Sequence, residues 1–191
     1  KDFGIDLNVK DNNGRTAWHL ACWNGNAETA ELIIKSSKDF GITLNAKDGF
    51  GVTAWNWTCG LGRTETAQLI IKSSKDFGID MNAGNNYGVT AWHEACKYGP
   101  TEIVKLIIES SKVLGIGLNT KDHDGDTAFH GACIEGRTEI VQIVMKNWKE
   151  FGIDIKALNN QGKIALGLIN SHCPINHRKG DEYHQIKKIL E

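Results

Sequence analysis

Apolar and polar residues alternate along the chain in short blocks with helical spacing, separated by turns that contain glycine. In residues 48–84, apolar positions at helical intervals predict a first helix over 54–61, with Thr53 as its N-cap. Thr64 then caps a second helix, whose apolar stripe continues to Phe77. The pattern therefore predicts a hairpin-like turn followed by two helices.

This block recurs at a fixed interval of 37 residues. Its marker, Lys-Asp-Phe-Gly-Ile, begins at Lys1, Lys38 and Lys75, and looser copies begin at Lys112 and Lys149. Residues 1–37 and 38–74 are identical at 24 of 37 positions. A period of this size is typical of stacked supersecondary units, in which each unit buries its apolar face against its neighbours.

A motif opens the third unit. Residues 85–93 read Asn-Asn-Tyr-Gly-Val-Thr-Ala-Trp-His, followed by Ala95-Cys96 and Gly99, and residues 11–19 and 122–130 match at the same register. On these residues the chain resembles the ankyrin repeat family. The resemblance implies an all-α solenoid of stacked helix-turn-helix units with hairpin-like turns. It also implies a non-enzymatic scaffold for protein–protein interaction.

The period exceeds the usual ankyrin value of about 33 residues. The four extra residues lie in Lys-Ser-Ser-Lys-Asp-Phe-Gly, at the end of the second helix, and four residues are close to one helical turn. We therefore expect extended second helices. The chain is interpreted as one array over 1–191, with units at 11–47, 48–84, 85–121 and 122–158 and a degenerate C-terminal cap at 159–191. Residues 1–10 are interpreted as the tail of a missing upstream repeat.

Composition narrows the function classes. The chain has 191 residues, a formal net charge of −1 and 40% hydrophobic residues, which is enough for a packed core. The balanced charge argues against a protein built mainly to hold polyphosphate backbones, and no uncharged apolar run of about 18 residues predicts a membrane helix. Of the 21 glycines, 14 share the registers of Gly41, Gly51 and Gly62. They predict helix ends and turns rather than linkers.

Two further registers hold residues that could carry chemistry. Cysteines share a position on the first helix at Cys22, Cys59, Cys96 and Cys133. They are interpreted as small buried residues in a reducing compartment, the cytosol or nucleus. Histidines share another position at His19, His93 and His130, where the second unit has Asn56. The resemblance implies that these histidines make structural hydrogen bonds at the helix start.

Other motifs are weaker signals. His172, Cys173, His177 and His184 have side chains that suit zinc, but they lack the spacing of a zinc site, so no metal or cofactor is predicted. Residues 131–138 imitate a phosphate-binding loop, yet no strand precedes them. No catalytic constellation is present, and the sequence predicts no enzyme.

The positions that differ most between units are expected to face outward, because they tolerate tryptophan, glutamate and glycine alike. In ankyrin repeats, turn tips and first helices line a concave groove that binds partners. The predicted partner-binding residues are Arg15, Leu20, Trp23, Phe50, Val52, Trp57, Leu61, Tyr87, Val89, Glu94, Lys97, Tyr98, Asp124, Asp126, Ile134 and Glu135. An aromatic centre beside an acidic fourth unit predicts a protein or peptide partner with an apolar anchor and basic residues, bound by a monomer.

Four alternatives stay open at this point. Exposed aromatic side chains could stack nucleotides or single-stranded nucleic acid, although the groove offers few basic residues. The array could be purely architectural, or the variable aromatic residues could pack between units as extra core. The chain could also be an engineered or selected binder, although framework differences such as Leu44 against Met81 favour a natural origin.

Overall fold

The computed structural model describes residues 6–165, 167–168, 185 and 188. Eight helices lie wholly within these residues: α1 (Ala17–Asn24), α2 (Ala27–Phe40), α3 (Ala54–Gly60), α4 (Thr64–Phe77), α5 (Ala91–Lys97), α6 (Thr101–Leu114), α7 (Ala128–Ile134) and α8 (Thr138–Phe151). Most of the predicted C-terminal cap and the first half of the N-terminal tail lie outside the described residues.

The helices form two layers. The short first helices α1, α3, α5 and α7 pack on one another in chain order, and the second helices α2, α4, α6 and α8 do the same beside them. Each second helix has 14 residues, against seven or eight in a first helix. The predicted all-α stack is therefore confirmed. The extension of the second helices is confirmed as well, because Lys-Ser-Ser-Lys-Asp-Phe is helical in α2 and α4.

The turn between units is hairpin-like, as predicted. In the second unit the Asp48 amide donates to the Val52 carbonyl at 3.0 Å, and a short antiparallel bridge joins Lys47 to Thr53. The Asp48 carboxylate accepts the amides of Phe50 and Val52 at 2.8 and 2.9 Å. Successive tips are joined directly, since the Asn86 amide donates to the Phe50 carbonyl at 3.1 Å.

Thr53 caps α3 as predicted, but Thr64 does not cap α4. Helix α4 begins at Thr64 itself, and Arg63 holds the N-cap position without a side-chain capping bond. The Arg63 guanidinium instead reaches the preceding unit and donates to the Trp23 carbonyl at 2.8 Å. Arg137 repeats this tie two units later, donating to the carbonyls of Lys97 and Gly99.

The core is a ladder of side chains from the first helices. At one register lie Trp18, Trp55, Trp92 and Phe129, all at most 2% exposed. The Trp92 indole donates to the Leu118 carbonyl at 3.0 Å, and Trp18 makes the equivalent bond to Leu44. These two indoles therefore hold α1 and α5 against the segment that enters the next unit, whereas the Trp55 indole nitrogen has no hydrogen-bond partner among the described residues.

An asparagine ladder ties the ends of the second helices together. Asn45 donates to the Gly78 carbonyl at 2.7 Å and accepts the Asp80 amide at 2.8 Å. The same pair of bonds recurs at Asn8, Asn82 and Asn119. Each asparagine therefore satisfies the carbonyl of the glycine that ends the next second helix.

The described glycines at the predicted helix ends and turns have a positive φ, with one exception. All twelve described glycines with positive φ belong to these registers. Gly99 does not have a positive φ. Pro100 directly follows it, and a proline pushes the backbone of the preceding residue toward the extended region. The third unit therefore separates its two helices with a different turn.

Two glycines with similar φ are expected to respond differently to alanine. Gly51 has φ of 75°, and an added Cβ would lie 2.8 Å from the backbone nitrogen of Asn86, whereas Gly41 has φ of 64° and open space around it. Both substitutions incur left-handed strain, but only Gly51→Ala also disrupts the joined tips. We expect it to be more destabilising than Gly41→Ala by about 1–3 kcal/mol. Urea denaturation of both variants measures the difference, and equal losses would contradict it.

Candidate interaction surface

The sixteen predicted partner-binding residues lie on the turn tips and first helices, and we call this set the variable face. Three of its aromatic members are well exposed. Phe50 and Tyr87, on consecutive tips, are 62% and 65% exposed, and Tyr98, at the end of α5, is 55% exposed. Leu20 and Leu61 are also exposed. Large apolar side chains at these positions leave apolar surface in contact with water.

Two tryptophans of the variable face pack against each other. The rings of Trp23 and Trp57 have centroids 4.3 Å apart with a 53° tilt, and both side chains are half-buried. The Trp57 indole donates to the Asp48 carboxylate at 3.0 Å, and the Arg15 guanidinium lies 5.7 Å from the Trp23 ring. One alternative was that the variable aromatic residues pack between units as extra core. For this pair, that alternative is therefore right in part.

Val52 was predicted to face outward, and this is wrong. Val52 is only 8% exposed. Val52 lies between the turn and the N-cap Thr53, and its carbonyl accepts the Asp48 amide and lies 3.2 Å from His19 Nε2 of the preceding unit. These bonds hold the residue against the neighbouring unit, so an apolar side chain there is covered.

A cavity of about 210 Å³ opens between the third and fourth units. Six predicted residues line it together: Val89, Glu94, Lys97, Tyr98, Asp126 and Ile134. Residues 37 positions apart are brought face to face here because α5 packs on α7. The structure thus assembles part of the variable face into a concave site, which the sequence did not show.

Charges in and around this cavity are mainly negative. Glu94 is half-buried, and burial raises the pKa of its carboxyl while the nearby Lys97 ammonium acts in the opposite direction. That ammonium lies 3.8 Å from the Glu135 carboxylate and 5.2 Å from the centre of the Tyr98 ring. Lys97 is therefore already engaged by neighbouring groups of the same surface.

The turn of the fourth unit is acidic but locally organised. The Asp122 carboxylate accepts the amides of Asp124 and Asp126, both at 2.9 Å. Asp126 in turn accepts the Asn159 side-chain amide at 2.9 Å through one carboxylate oxygen. Asp124 is exposed and Asp126 is half-buried. The predicted acidic character of this unit is present at the surface.

The histidine register is structural, as the resemblance implied. In the third unit, His93 Nδ1 lies 3.2 Å from the Thr90 amide and 2.8 Å from its hydroxyl, and Nε2 lies 3.2 Å from the Asp126 carbonyl. A ring that accepts at Nδ1 carries its proton at Nε2. Burial lowers the pKa of His93 and of His19 in the first unit. These histidines are neutral connectors between units.

The cysteine register is buried, and its four thiols are unpaired. Burial raises the pKa of Cys22 and Cys133 to about 12, which keeps both thiols protonated and poorly nucleophilic. The predicted packing role is confirmed.

Within the described residues, no group of three or more histidine, cysteine or acidic side chains could hold a metal ion. The zinc-like set His172, Cys173, His177 and His184 lies outside the described residues. No described helix is both long enough and apolar enough to cross a bilayer.

Comparison with known proteins gives one kind of match. A model of ankyrin repeats in three copies matches residues 40–122, and a model of ankyrin repeats in many copies matches residues 1–34. The two matches cover separate units with the same repeat type. No curated protein matches the chain.

Proposed function

Because this chain belongs to the ankyrin repeat family, we propose that it is a non-enzymatic scaffold that binds a protein partner through the variable face. Ankyrin repeats are generally protein–protein interaction modules, and ankyrin repeat proteins are typically not enzymes. The observation that carries the proposal is the contrast between two sets of aromatic residues. Those at the framework register are buried, whereas Phe50, Tyr87 and Tyr98 are exposed on the variable face.

Exposed aromatic side chains are common energetic anchors of protein interfaces, because they bury a large area at a small entropic cost. The packed Trp23–Trp57 pair adds half-buried aromatic surface to the variable face, and one of its indoles is hydrogen-bonded to Asp48. The partner would therefore present an apolar anchor to the first three units and basic residues to the acidic fourth unit. We place the protein in a reducing compartment, the cytosol or nucleus, because its buried cysteines are unpaired.

Removing the two tip aromatics is expected to weaken partner binding without unfolding the protein. Phe50→Ala together with Tyr87→Ala should lower affinity by about 30-fold or more, because hot-spot truncations cost about 2 kcal/mol or more. Affinity chromatography with the wild-type chain isolates candidate partners, and calorimetry of each purified candidate against both chains measures the loss.

Phe40→Ala provides the matched control. Phe40 is 64% exposed, close to the value for Phe50, but it ends α2 outside the variable face. It should leave affinity unchanged. If the tip double variant keeps its circular dichroism spectrum and full affinity for every captured partner, the proposed binding surface is wrong.

A further inference from the structure

We propose that the cavity between the third and fourth units receives one basic side chain, lysine or arginine, from an extended segment of a partner protein. This inference rests on the proposed function and names the chemistry of one position in the partner.

The cavity exists because of a missing side chain. Gly131 occupies the register that holds Leu20, Trp57 and Glu94 in the preceding units. A Cβ added at Gly131 would meet nothing closer than Lys97 Cβ at 3.8 Å, and the space around it is open. Gly60 gives the opposite case, because its added Cβ would lie 3.2 Å from Glu94 Oε2. The Glu94 side chain fills the space beside Gly60, whereas the space beside Gly131 stays empty.

The size of the cavity selects a side chain rather than a whole ligand. Pockets for drug-sized molecules span about 300–1,000 Å³, and this cavity has about 210 Å³. Its walls include the apolar side chains of Val89 and Ile134 and the residue Tyr98. Such walls suit the methylene stem of a long side chain.

The charges around the cavity select a cation. Three acidic residues, Glu94, Asp122 and Asp126, line it together with the single lysine Lys97, which is already paired with Glu135 at 3.8 Å. Glu94 is half-buried, and the Lys97 charge is what favours its ionised form. A half-buried carboxylate with little compensation gains from an opposite charge nearby. A guanidinium or ammonium group in the cavity would provide that charge.

His93 does not supply this cation. Although it also lines the cavity, its ring is held by Thr90 and by the Asp126 carbonyl, and burial lowers its pKa. The four charged side chains of the lining therefore leave a surplus of negative charge that a partner can neutralise. An acidic or purely apolar side chain would leave that surplus without a further opposite charge.

A displayed library of random linear peptides is the probe for this site. We expect peptides selected on the full chain to share one arginine or lysine. Replacing that residue by citrulline or norleucine in the synthetic peptide should lower affinity by about 10-fold or more. Gly131→Leu fills the cavity, and Glu94→Gln removes one negative charge from its lining. Each should cause a similar loss of affinity in calorimetry.

Two controls accompany these variants. Glu109→Gln removes an exposed carboxylate from α6, outside the cavity, and should leave affinity unchanged. The first unit has a leucine, Leu20, at the register of Gly131, so the fold accommodates this side chain. Circular dichroism confirms that each variant is folded before binding is measured.

The outcomes separate this inference from the proposed function. If selected peptides lose affinity with Phe50→Ala and Tyr87→Ala but bind Gly131→Leu and Glu94→Gln normally, the cavity inference is wrong and the proposed function stands. If they respond to the cavity variants alone, the inference stands and the aromatic anchor is wrong. A library that yields no binder above background counts against both.

Discussion

Trp92→Ala is expected to lower the free energy of unfolding by about 3–5 kcal/mol, the usual loss for a large aromatic side chain removed from a core. Trp92 is 1% exposed, and its indole donates to the Leu118 carbonyl at 3.0 Å. The substitution leaves a cavity between stacked units and an unpaired buried carbonyl. Since folded domains are stable by only about 5–15 kcal/mol, the loss is a large share of the total. Urea denaturation followed by circular dichroism measures it.

Two controls keep this prediction testable even if the alanine variant is too unstable to purify. Trp92→Phe keeps an aromatic ring, as Phe129 does at the same register of the fourth unit, and it should be less destabilising by about 1–3 kcal/mol. Tyr98→Ala removes a ring that is 55% exposed and should change stability by no more than about 0.5 kcal/mol. Equal losses at Trp92 and Tyr98 would contradict the assignment of core and surface.

His93→Ala is expected to lower the free energy of unfolding by about 2–5 kcal/mol. The substitution leaves the buried Thr90 amide without its partner, which costs about 1–3 kcal/mol. It also removes a buried ring from the contact between units and leaves a cavity there. His123→Ala is the matched control, because His123 lies exposed on the next turn tip. We expect that control to change stability by no more than about 0.5 kcal/mol. Losses of the same size at both histidines would argue against the connector role.

His93→Asn tests the same connector through pH. Asn56 holds this register in the second unit, where its side-chain amide reaches the Val89 carbonyl at 3.4 Å, so asparagine should preserve part of the link. Burial lowers the pKa of His93 in the folded protein. Below about pH 6.5 the unfolded chain therefore takes up a proton that the folded chain resists, and stability falls as pH decreases.

We therefore expect wild-type stability to fall between pH 7.5 and pH 5.5 more steeply than that of His93→Asn. The variant keeps some slope, because the pKa of His19 is lowered in the same way. Parallel urea titrations at the two pH values give the comparison. Identical slopes would show that His93 titrates alike in the folded and unfolded states.

The variable face shows where residue patterns stop being informative. Variation between units correctly indicated exposed aromatics at Phe50, Tyr87 and Tyr98. The same criterion failed at Val52, which is covered, and at Trp23 and Trp57, which pack together. Variation between units shows only that a position tolerates different side chains. Burial depends on the side chain that the next unit places opposite, and that residue is about 37 positions away in the chain.

The sequence also did not predict the hydrogen bonds that link one unit to the next. Arg63 and Arg137 each follow a turn glycine, and no motif in the sequence gives either side chain a role. They donate to carbonyls in the preceding unit, 38 to 40 residues earlier. The asparagine ladder is visible as a repeated residue, but its partners are backbone carbonyls, which every residue carries. No residue type therefore marks these bonds in advance.

The sequence by itself determined the repeat, the order of helices, the hairpin-like turns and the registers of the buried aromatics, histidines and cysteines. These features follow from local rules of capping, glycine conformation and helical periodicity, repeated at one interval. Only the tertiary structure decided which variable residues are exposed, how Arg63 links units, and that Gly131 opens a cavity beside Glu94. Those outcomes arise from side chains of neighbouring units meeting in space, and their packing depends on both partners at once.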